Sequence, residues 1–335
     1  FRSFFHWTRK SPNLADNGLS KHMRILSVQY LRAIAAILVV VAHAFLHPID
    51  HVDVTFRRMG SFGVLLFFVI SGFIMVYTTG KGSFAAGIFF RRRIERIVPL
   101  YWIVTIGLAL LAIVTPSFLK NTTFSWEHLA KSLLFIPYMR ENGELVPLMK
   151  LGWTLNYEIF FYLTFAACAS LSAVRRFAVV TGLFVLLVLI GFILPFNVAI
   201  PKFYTEELIL SFCVGMGIGL LHLYDSPLTH RPYLVPVWAL CAVVFTALAF
   251  SMPSAIPLGV KTDALFTLAS AMFILLGLCA EKSLPESRPA LILGDASYAM
   301  YLTHMSFVVG SIMIIRKIMP SSEPWIEILV SIMLS

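Results

Sequence analysis

Two ionisable side chains lie inside the first long apolar run of the sequence, where they could take part in chemistry. Arg32 and His43 are eleven residues apart, close to three turns of an α-helix, so a helix would place both on one face. An ionisable group in an apolar span is costly to bury and usually faces a partner or a cavity. Because histidine exchanges a proton near neutral pH, His43 is a candidate general base. The alternative is a histidine that only donates a hydrogen bond to a neighbouring helix.

A carboxylate occupies a similar apolar run in the middle of the chain. Thr154, Glu158 and Tyr162 follow at i, i+4 and i+8, which is one polar stripe on an otherwise apolar helix. We expect Glu158 to pair with His43 or Arg32. Helical depth favours His43, since both groups lie about one to two turns from the same membrane face. Such a pair would orient the imidazole and raise its basicity. The alternative is a buried ion pair that only fixes the packing of the helices.

Four arginines follow the second apolar run, at positions 91, 92, 93 and 96. Guanidinium groups bind phosphates bidentately, and two of them at i and i+3 can grip one pyrophosphate or nucleotide. Arg93 and Arg96, with Arg92, are therefore candidates for binding the phosphates of a cosubstrate. The alternative is a basic juxtamembrane segment that only sets orientation and contacts lipid headgroups.

Weaker polar signals lie elsewhere in the apolar runs. The segment GDASYAMYLTHMSF places its serine, second tyrosine and histidine at i, i+4 and i+7 on one face. That face could line a cavity or form hydrogen bonds between helices. Small residues in GSFGVLLFFVISGF favour close helix packing over close approach of a substrate. The residues that we assign to substrate binding or cavity lining are Ser71, Trp153, Tyr298, Tyr301 and His304.

Composition indicates the kind of fold that must position these groups. Hydrophobic residues make up 59% of the 335 residues and charged residues 13%, too apolar for a soluble domain. Alternating short segments typical of a membrane barrel are absent, which indicates helices. We predict an all-α fold, a polytopic membrane bundle of about ten transmembrane helices with a cytoplasmic interfacial helix over 80–97. The spans are 25–47, 60–79, 98–116, 153–173, 177–195, 206–223, 233–251, 263–280, 291–315 and a last one from about 324.

Charge and cysteine content narrow the function classes. The net charge of +9 comes without any nucleic-acid-binding motif, so we attribute it to membrane orientation and expect no nucleic-acid partner. The four cysteines lack metal-ligand spacing, and we expect neither a metal nor a disulfide framework. Basic residues concentrate on one side of the spans, which predicts a cytoplasmic N-terminus, a cytoplasmic segment 1–24 and a transmembrane domain 25–335. These basic residues are Lys21, Arg24, Lys81, Arg91, Arg92, Arg93, Arg96, Arg175 and Arg176.

Five segments occur in a characteristic order along nearly the whole chain: LRAIAAILVVVAH, FGVLLFFVISGF, RRRIERIVPLYW, WTLNYEIFFY and GDASYAMYLTH. Together they resemble the membrane acyltransferase 3 family, and WTLNYEIFFY in particular resembles the O-acetyltransferases of exopolysaccharide production. The family's first-helix histidine matches His43 and its preceding arginine matches Arg32. The RxxR pair of the family matches Arg93 and Arg96, and its carboxylate matches Glu158. The family's Arg-Gly pair is Arg-Ala here, a departure that we expect to be tolerated.

The resemblance implies an acyl-CoA-dependent O-acyltransferase of a bacterial cytoplasmic membrane. It would move acetyl from acetyl-CoA to a hydroxyl of an exported or lipid-linked polysaccharide, with other polysaccharide-biosynthesis proteins as further partners. In the expected mechanism the arginines hold coenzyme A at the cytoplasmic face. His43, oriented by Glu158, deprotonates the sugar, and either Arg32 or a polar group of the ninth span stabilises the oxyanion. The alternative to direct transfer is a covalent acyl-histidine or acyl-serine step. Two alternatives are a proton-coupled secondary transporter of a small anionic or sugar substrate and a structural partner of a polysaccharide synthase.

Overall fold

The computed structural model describes residues 25–46, 54–114, 124–253, 260–319 and 323–335, and the predicted segment 1–24 lies outside them. Within these ranges the regular structure is helical throughout, which agrees with the predicted all-α class. The α-helices are α1 (Leu26–Leu46), α2 (Val54–Thr79), α3 (Ala86–Val114), α4 (Trp126–Leu133), α5 (Trp153–Ala167), α6 (Ala173–Ile193), α7 (Ala199–Tyr204), α8 (Leu210–Leu223), α9 (Val235–Ser251), α10 (Val260–Ala280), α11 (Arg288–Ile318) and α12 (Pro324–Leu334).

Seven of the described helices are long and apolar enough to cross a membrane: α1, α2, α3, α6, α9, α10 and α11. They fit a multi-pass membrane protein. The expected number of about ten spans is not confirmed, because α5, α8 and α12 have only 15, 14 and 11 residues. A helix needs roughly 20 residues to cross the hydrocarbon core. Apolar composition alone had suggested spans at these three places.

The basic segment before the third span does not form a helix of its own. The structure begins α3 at Ala86 and continues it through Pro99 to Val114, so an interfacial helix over 80–97 is not confirmed. Pro99 removes only one hydrogen bond of the helix, the one to the carbonyl of Glu95. The arginines therefore occupy the first three turns of a helix that runs on along the bundle.

Helix α2 lies at the centre of the bundle, and 78% of its most apolar window is buried. It packs against α1, α8 and α10. Glycines allow the α2–α8 approach: a Cβ on Gly72 would lie 2.1 Å from the Phe212 carbonyl oxygen, and one on Gly215 would lie 1.9 Å from that of Val69. This confirms the prediction that the small residues of the second span serve close packing. Central placement of α2 brings Ser71, the neighbour of Gly72, into the interior.

Helices α3, α6 and α9 lie at the periphery. Only 28%, 22% and 11% of their apolar windows are buried, so most of their apolar side chains are left for lipid to cover. Helix α11 instead packs along α1. Near the start of α11, Gly294 admits the backbone of α1, because a Cβ there would lie 2.4 Å from the Gln29 carbonyl oxygen. The α1–α11 contact includes the buried residues Arg32 and His304.

The connection between α3 and α5 is an ordered loop that includes α4. The Ser132 hydroxyl accepts a hydrogen bond from the Leu148 amide at 2.9 Å, and the Ser132 carbonyl accepts one from Tyr101 at 3.1 Å. Arg140 donates to the carbonyls of Val146 and Leu148, at 3.2 and 3.0 Å. These bonds tie the loop to α3 and fix the position at which α5 begins.

Candidate active site

Polar side chains from five helices line a cavity inside the bundle, with an empty volume of about 660 Å³. We call it the arginine cavity because two arginines line it, one from α1 and one from α3. Its lining comprises Arg32, Val64, Phe67, Phe68, Ile70, Ser71, Ile74, Met75, Arg96, Thr154, Leu155, Glu158, Tyr162, Ser297, Tyr298 and Tyr301. It therefore collects most of the ionisable and hydroxyl groups that the sequence had singled out.

Arg32 is buried and fixed by the helix that packs beside it. Its Nη2 donates to the Ser297 hydroxyl at 3.0 Å, and its Nη1 donates to the Gln29 side chain at 3.3 Å. Ser297 in turn donates to the Gly294 carbonyl at 2.8 Å, which keeps its oxygen turned toward α1. The close approach at Gly294 is what brings the guanidinium within reach of Ser297. Arg32 thus points a fixed positive charge into the cavity.

Glu158 lies opposite, on α5, and is held by two hydroxyl groups. Its Oε1 accepts hydrogen bonds from Tyr162 and, at 3.4 Å, from Ser71. The Ser71 and Tyr162 hydroxyls are themselves 3.3 Å apart. Thr154, Glu158 and Tyr162 all line the arginine cavity, so the polar stripe expected on this helix faces one space.

Glu158 and His43 lie in different cavities, so the expected pairing of these two residues is not formed. Glu158 and Arg32, the other partner that the sequence allowed, line the arginine cavity, whereas His43 lines a second cavity. Trp153, the first residue of α5, already lines the cavity of His43. Glu158 is five residues further along, about 7.5 Å of helix rise.

The arginines at the start of α3 have different positions. Arg96 lines the arginine cavity. The Arg93 guanidinium lies over the rings of Phe89 and Tyr162, at 5.4 and 5.9 Å. Its Nε is buried and has no hydrogen-bond partner among the described residues, so it retains a donor for an anion. Arg92 is exposed and does not line either cavity.

The two arginines that the RxxR spacing singled out fit a phosphate-bearing group better than Arg92 does. Arg92 and Arg93 are neighbours on one helix, but the helix turns their side chains in different directions. Arg93 points inward and Arg92 points outward. Arg91 also points outward, where it forms an ion pair with Glu95 at 3.4 Å. The end of the bundle that carries these residues and Leu26 is called the Leu26 end below.

His43 lies in the second cavity, toward the opposite, Leu46 end of α1. This cavity has an empty volume of about 820 Å³, and we call it the histidine cavity. Its lining comprises Val39, His43, Leu46, Arg57, Gly60, Ser61, Val64, Leu65, Leu151, Trp153, Leu208, Asp263 and Tyr301. Val64 and Tyr301 line both cavities, so they form the wall between them.

The geometry of His43 determines which ring nitrogen is available for chemistry. Its Nδ1 lies 2.9 Å from the Val39 carbonyl oxygen. A carbonyl can only accept, so Nδ1 carries the hydrogen and the neutral ring keeps its lone pair on Nε2. The imidazole also packs against His304 of α11, with ring centroids 5.0 Å apart. A backbone carbonyl thus sets the tautomer here, the part that had been expected of Glu158.

The α11 residues share one face, as their spacing predicts. Ser297, Tyr301 and His304 are all buried against α1, α2 and α5. The Tyr301 hydroxyl lies 2.8 Å from that of Thr154, and His304 bonds the Tyr301 carbonyl through Nδ1 at 2.7 Å. Tyr298 lines the arginine cavity and donates to the Ile97 carbonyl at 2.7 Å. Their measured contacts include both bonds between helices and cavity lining.

Two charged residues of the histidine cavity were missed from the sequence. Arg57 lies at the start of α2, and Asp263 lies in the first turns of α10. Asp263 could have been found by the rule that found Glu158, since it is an isolated carboxylate at the edge of an apolar run. Within the described ranges, no group of three or more His, Cys, Asp or Glu side chains is arranged to hold a metal ion.

Comparisons with known proteins identify the family. A family model described as an acyltransferase domain matches residues 25–335. The chain is 35% identical over 251 residues to the exopolysaccharide production protein ExoZ of Rhizobium meliloti (strain 1021), which covers 73% of this chain and 76% of ExoZ. It is 26% identical over 295 residues to ORF330 of Acidianus two-tailed virus, which is named as an acetyltransferase, with 83% of this chain and 82% of ORF330 covered. No solved structure matches the chain.

The match extends from the first described residue to the last and includes every helix that lines the two cavities. On this evidence the chain belongs to the acyltransferase domain family.

Proposed function

We propose that this protein is an integral membrane O-acetyltransferase that moves acetyl from acetyl-CoA to a hydroxyl of an exopolysaccharide sugar. The family supports acyl transfer, and the names of ExoZ and ORF330 support a polysaccharide and an acetyl group. The single observation that carries the proposal is the arrangement of the two cavities. They lie in line along α1 and meet at Val64 and Tyr301, with arginines toward one end and a histidine base toward the other.

The arginine cavity would receive the acyl donor. Arg93 offers a buried Nε without an acceptor, and Arg96 lines the cavity near the Leu26 end. Guanidinium pairs at this spacing suit the phosphates of coenzyme A. Arg32 lies deeper and is already bonded to Ser297, so we assign it to the acyl arm of the donor rather than to the phosphates. The oxyanion expected for Arg32 would form on the carbonyl beside His43, too far along α1 for this guanidinium to reach. Glu158 would limit the mutual repulsion of these arginines and keep Tyr162 and Ser71 in place.

The histidine cavity would receive the sugar. His43 Nε2 accepts the proton of a sugar hydroxyl as the hydroxyl oxygen attacks the thioester carbonyl carbon. The carbon–sulfur bond then breaks, the ester remains on the sugar, and the coenzyme A thiolate takes the proton from His43. Arg32 and His43 are eleven residues apart on α1, about 16 Å of helix rise. The acyl arm of the donor therefore has to extend along α1, past Tyr301, to reach the base.

Orientation follows from the same arrangement. Coenzyme A is a cytoplasmic molecule, so a donor site at the Leu26 end places that end in the cytoplasm. Such an orientation agrees with the concentration of basic residues there. The acceptor would then be an exported or lipid-linked saccharide at the far face of a bacterial cytoplasmic membrane, with other polysaccharide-biosynthesis proteins as neighbours. Membership of an acyltransferase family favours this enzyme over the proton-coupled transporter and the structural partner.

Donor binding is tested by the thermal stability of the purified protein. Coenzyme A at a hundredfold excess over its Kd would stabilise the native state by about 2.7 kcal/mol. We expect the Arg93→Ala/Arg96→Ala double variant to lose this shift. The matched control is Arg92→Ala, one residue away and exposed, which should retain it. An undiminished shift in the double variant would refute the proposed donor site.

Catalysis is tested by transfer of radiolabelled acetyl from acetyl-CoA to a saccharide acceptor. A general base contributes roughly 10²- to 10⁴-fold, so His43→Ala should lose at least a hundredfold in rate while it still binds coenzyme A. His230→Ala is the matched control, since His230 lines neither cavity. Full activity in His43→Ala would exclude the base assigned here.

A further inference from the structure

Asp263 brings a carboxylate into the histidine cavity, which the proposed base also lines. The residue lies in the first turns of α10 and lines the same cavity as His43 of α1. Its side chain is only partly buried. It makes no hydrogen bond or ion pair with the described residues. A carboxylate that has lost part of its hydration and has no protein partner leaves acceptor oxygens for donors from a ligand.

The rest of the cavity indicates what kind of donor would reach Asp263. Trp153 lines it with a half-buried indole, which edge contacts hold in place: its ring centroid lies 6.5 Å from Phe68 and 6.0 Å from Tyr157. An indole face is apolar and rigid, and suits the apolar face of a pyranose ring. Ser61 adds a hydroxyl from α2. An aromatic face together with a few hydrogen-bonding groups is suited to a sugar with several hydroxyls.

The charges of the lining agree with such a ligand. The charged groups that line the cavity are His43, Arg57 and Asp263, and Asp263 is the one carboxylate among them. Arg57 is exposed, which places it at the mouth. Hydroxyl donors inside the cavity therefore meet Asp263 as their strongest acceptor.

We propose that Asp263 binds hydroxyl groups of the acceptor sugar and positions one of them for proton transfer to His43, while Trp153 stacks on the sugar ring. This inference rests on the proposed function, because it assumes that a saccharide is the acyl acceptor. It assigns Asp263 to acceptor binding and not to the donor, which lies across the wall formed by Val64 and Tyr301.

The test separates acceptor binding from donor binding. Purified full-length protein would be assayed with acetyl-CoA and the p-nitrophenyl glycosides of glucose, galactose and mannose as acceptors. A hydrogen bond to a charged group contributes about 1.5–3 kcal/mol, so Asp263→Ala should raise the acceptor KM roughly ten- to hundredfold. Its KM for acetyl-CoA and its coenzyme A thermal shift should be those of the wild type. Asp263→Asn keeps the shape of the side chain and one acceptor oxygen, so its acceptor KM should lie between those of the wild type and Asp263→Ala.

Asp225→Asn is the matched control, since this exposed aspartate lines neither cavity. An unchanged acceptor KM in both Asp263 variants would overturn the inference, as would a loss that appears only in kcat. If Asp263→Ala does not fold, as judged by the absence of a coenzyme A shift, the isosteric Asp263→Asn decides on the same KM criterion. Wild-type protein that transfers acetyl to none of the glycosides would instead refute the proposed function itself.

Discussion

Alanine at Gly215 would test the contact that centres the bundle. A Cβ at this position would lie 1.9 Å from the Val69 carbonyl oxygen and 2.9 Å from the Phe73 amide nitrogen, both of them backbone atoms of α2. Neither can move aside as a flexible side chain could. Because ordinary contact begins near 3.4 Å, α8 has to shift from α2 by roughly 1.5 Å. Overpacking of a core costs about 1–3 kcal/mol and sometimes more, and a clash with backbone belongs at the upper end.

The measurement is the thermal unfolding of detergent-solubilised protein. At roughly 2–4 °C per kcal/mol, a loss of about 3 kcal/mol lowers Tm by at least about 6 °C. Gly217→Ala is the matched control on the same helix, since its Cβ would lie 3.8 Å from Phe177, in ordinary contact. Alanine is the better helix former by about 0.5–1 kcal/mol, so the control should unfold at or slightly above the wild-type temperature.

The same contact should also influence the site. Gly72 meets α8 from the other side, and its neighbour Ser71 holds Glu158 through a hydrogen bond of 3.4 Å, already at the long end of the range. A displaced α2 would break that bond. We therefore expect Gly72→Ala to lose acetyl transfer at temperatures where the protein is still folded. A Gly215→Ala variant that unfolds no lower than Gly217→Ala would refute the close approach of the two helices.

Two further predictions concern charged residues. Glu158→Gln should retain the coenzyme A thermal shift. Removing a negative charge beside Arg32 and Arg96 does not weaken their attraction for an anion. Loss of the shift would instead indicate that Glu158 organises the donor site. Arg176→Ala should lower the free energy of unfolding by roughly 3 kcal/mol. The buried Arg176 guanidinium donates charge-assisted hydrogen bonds to the carbonyls of Gly82 and Leu171, at 2.6 and 2.8 Å. Arg175 is the exposed neighbour, and Arg175→Ala should change stability by less than about 0.5 kcal/mol. Equal effects of the two arginine variants on Tm would contradict this reading.

Features that depend on the phase of a single helix could be predicted from the sequence. Arg32 and His43 both face α11, as their eleven-residue spacing requires, and contact Ser297 and His304 there. The shared face of Ser297, Tyr301 and His304 on α11 has the same origin. Within a helix of known register, spacing alone determines which side chains lie together.

Features that depend on the relative heights of helices could not be predicted in this way. Glu158 was expected at the level of His43, but its level depends on how the loop before α5 folds against α3. Arg176 was counted among the basic residues that set orientation, although it is buried and holds the segment after α2. In both cases the residue type indicated that the side chain matters. The partner of the side chain could not be predicted, because it comes from a distant part of the chain.

The number of spans depended on length as well as composition. Helices α5, α8 and α12 are apolar enough to resemble spans, yet they are short, and about half of the residues of α5 and α8 are buried. Sequence reasoning cannot distinguish a lipid-facing apolar face from a protein-facing one, since both bury the same side chains.

The meeting of the two cavities has a consequence for how an acetyl group would cross the membrane. Val64 and Tyr301 line both spaces, so the donor and acceptor cavities meet at these two side chains. In the proposed orientation, the acetyl group would cross to the far face by transfer to the sugar, while coenzyme A would remain on the cytoplasmic side. The enzyme would then place acetyl groups, as sugar esters, at the far face without a separate carrier for the acetyl donor.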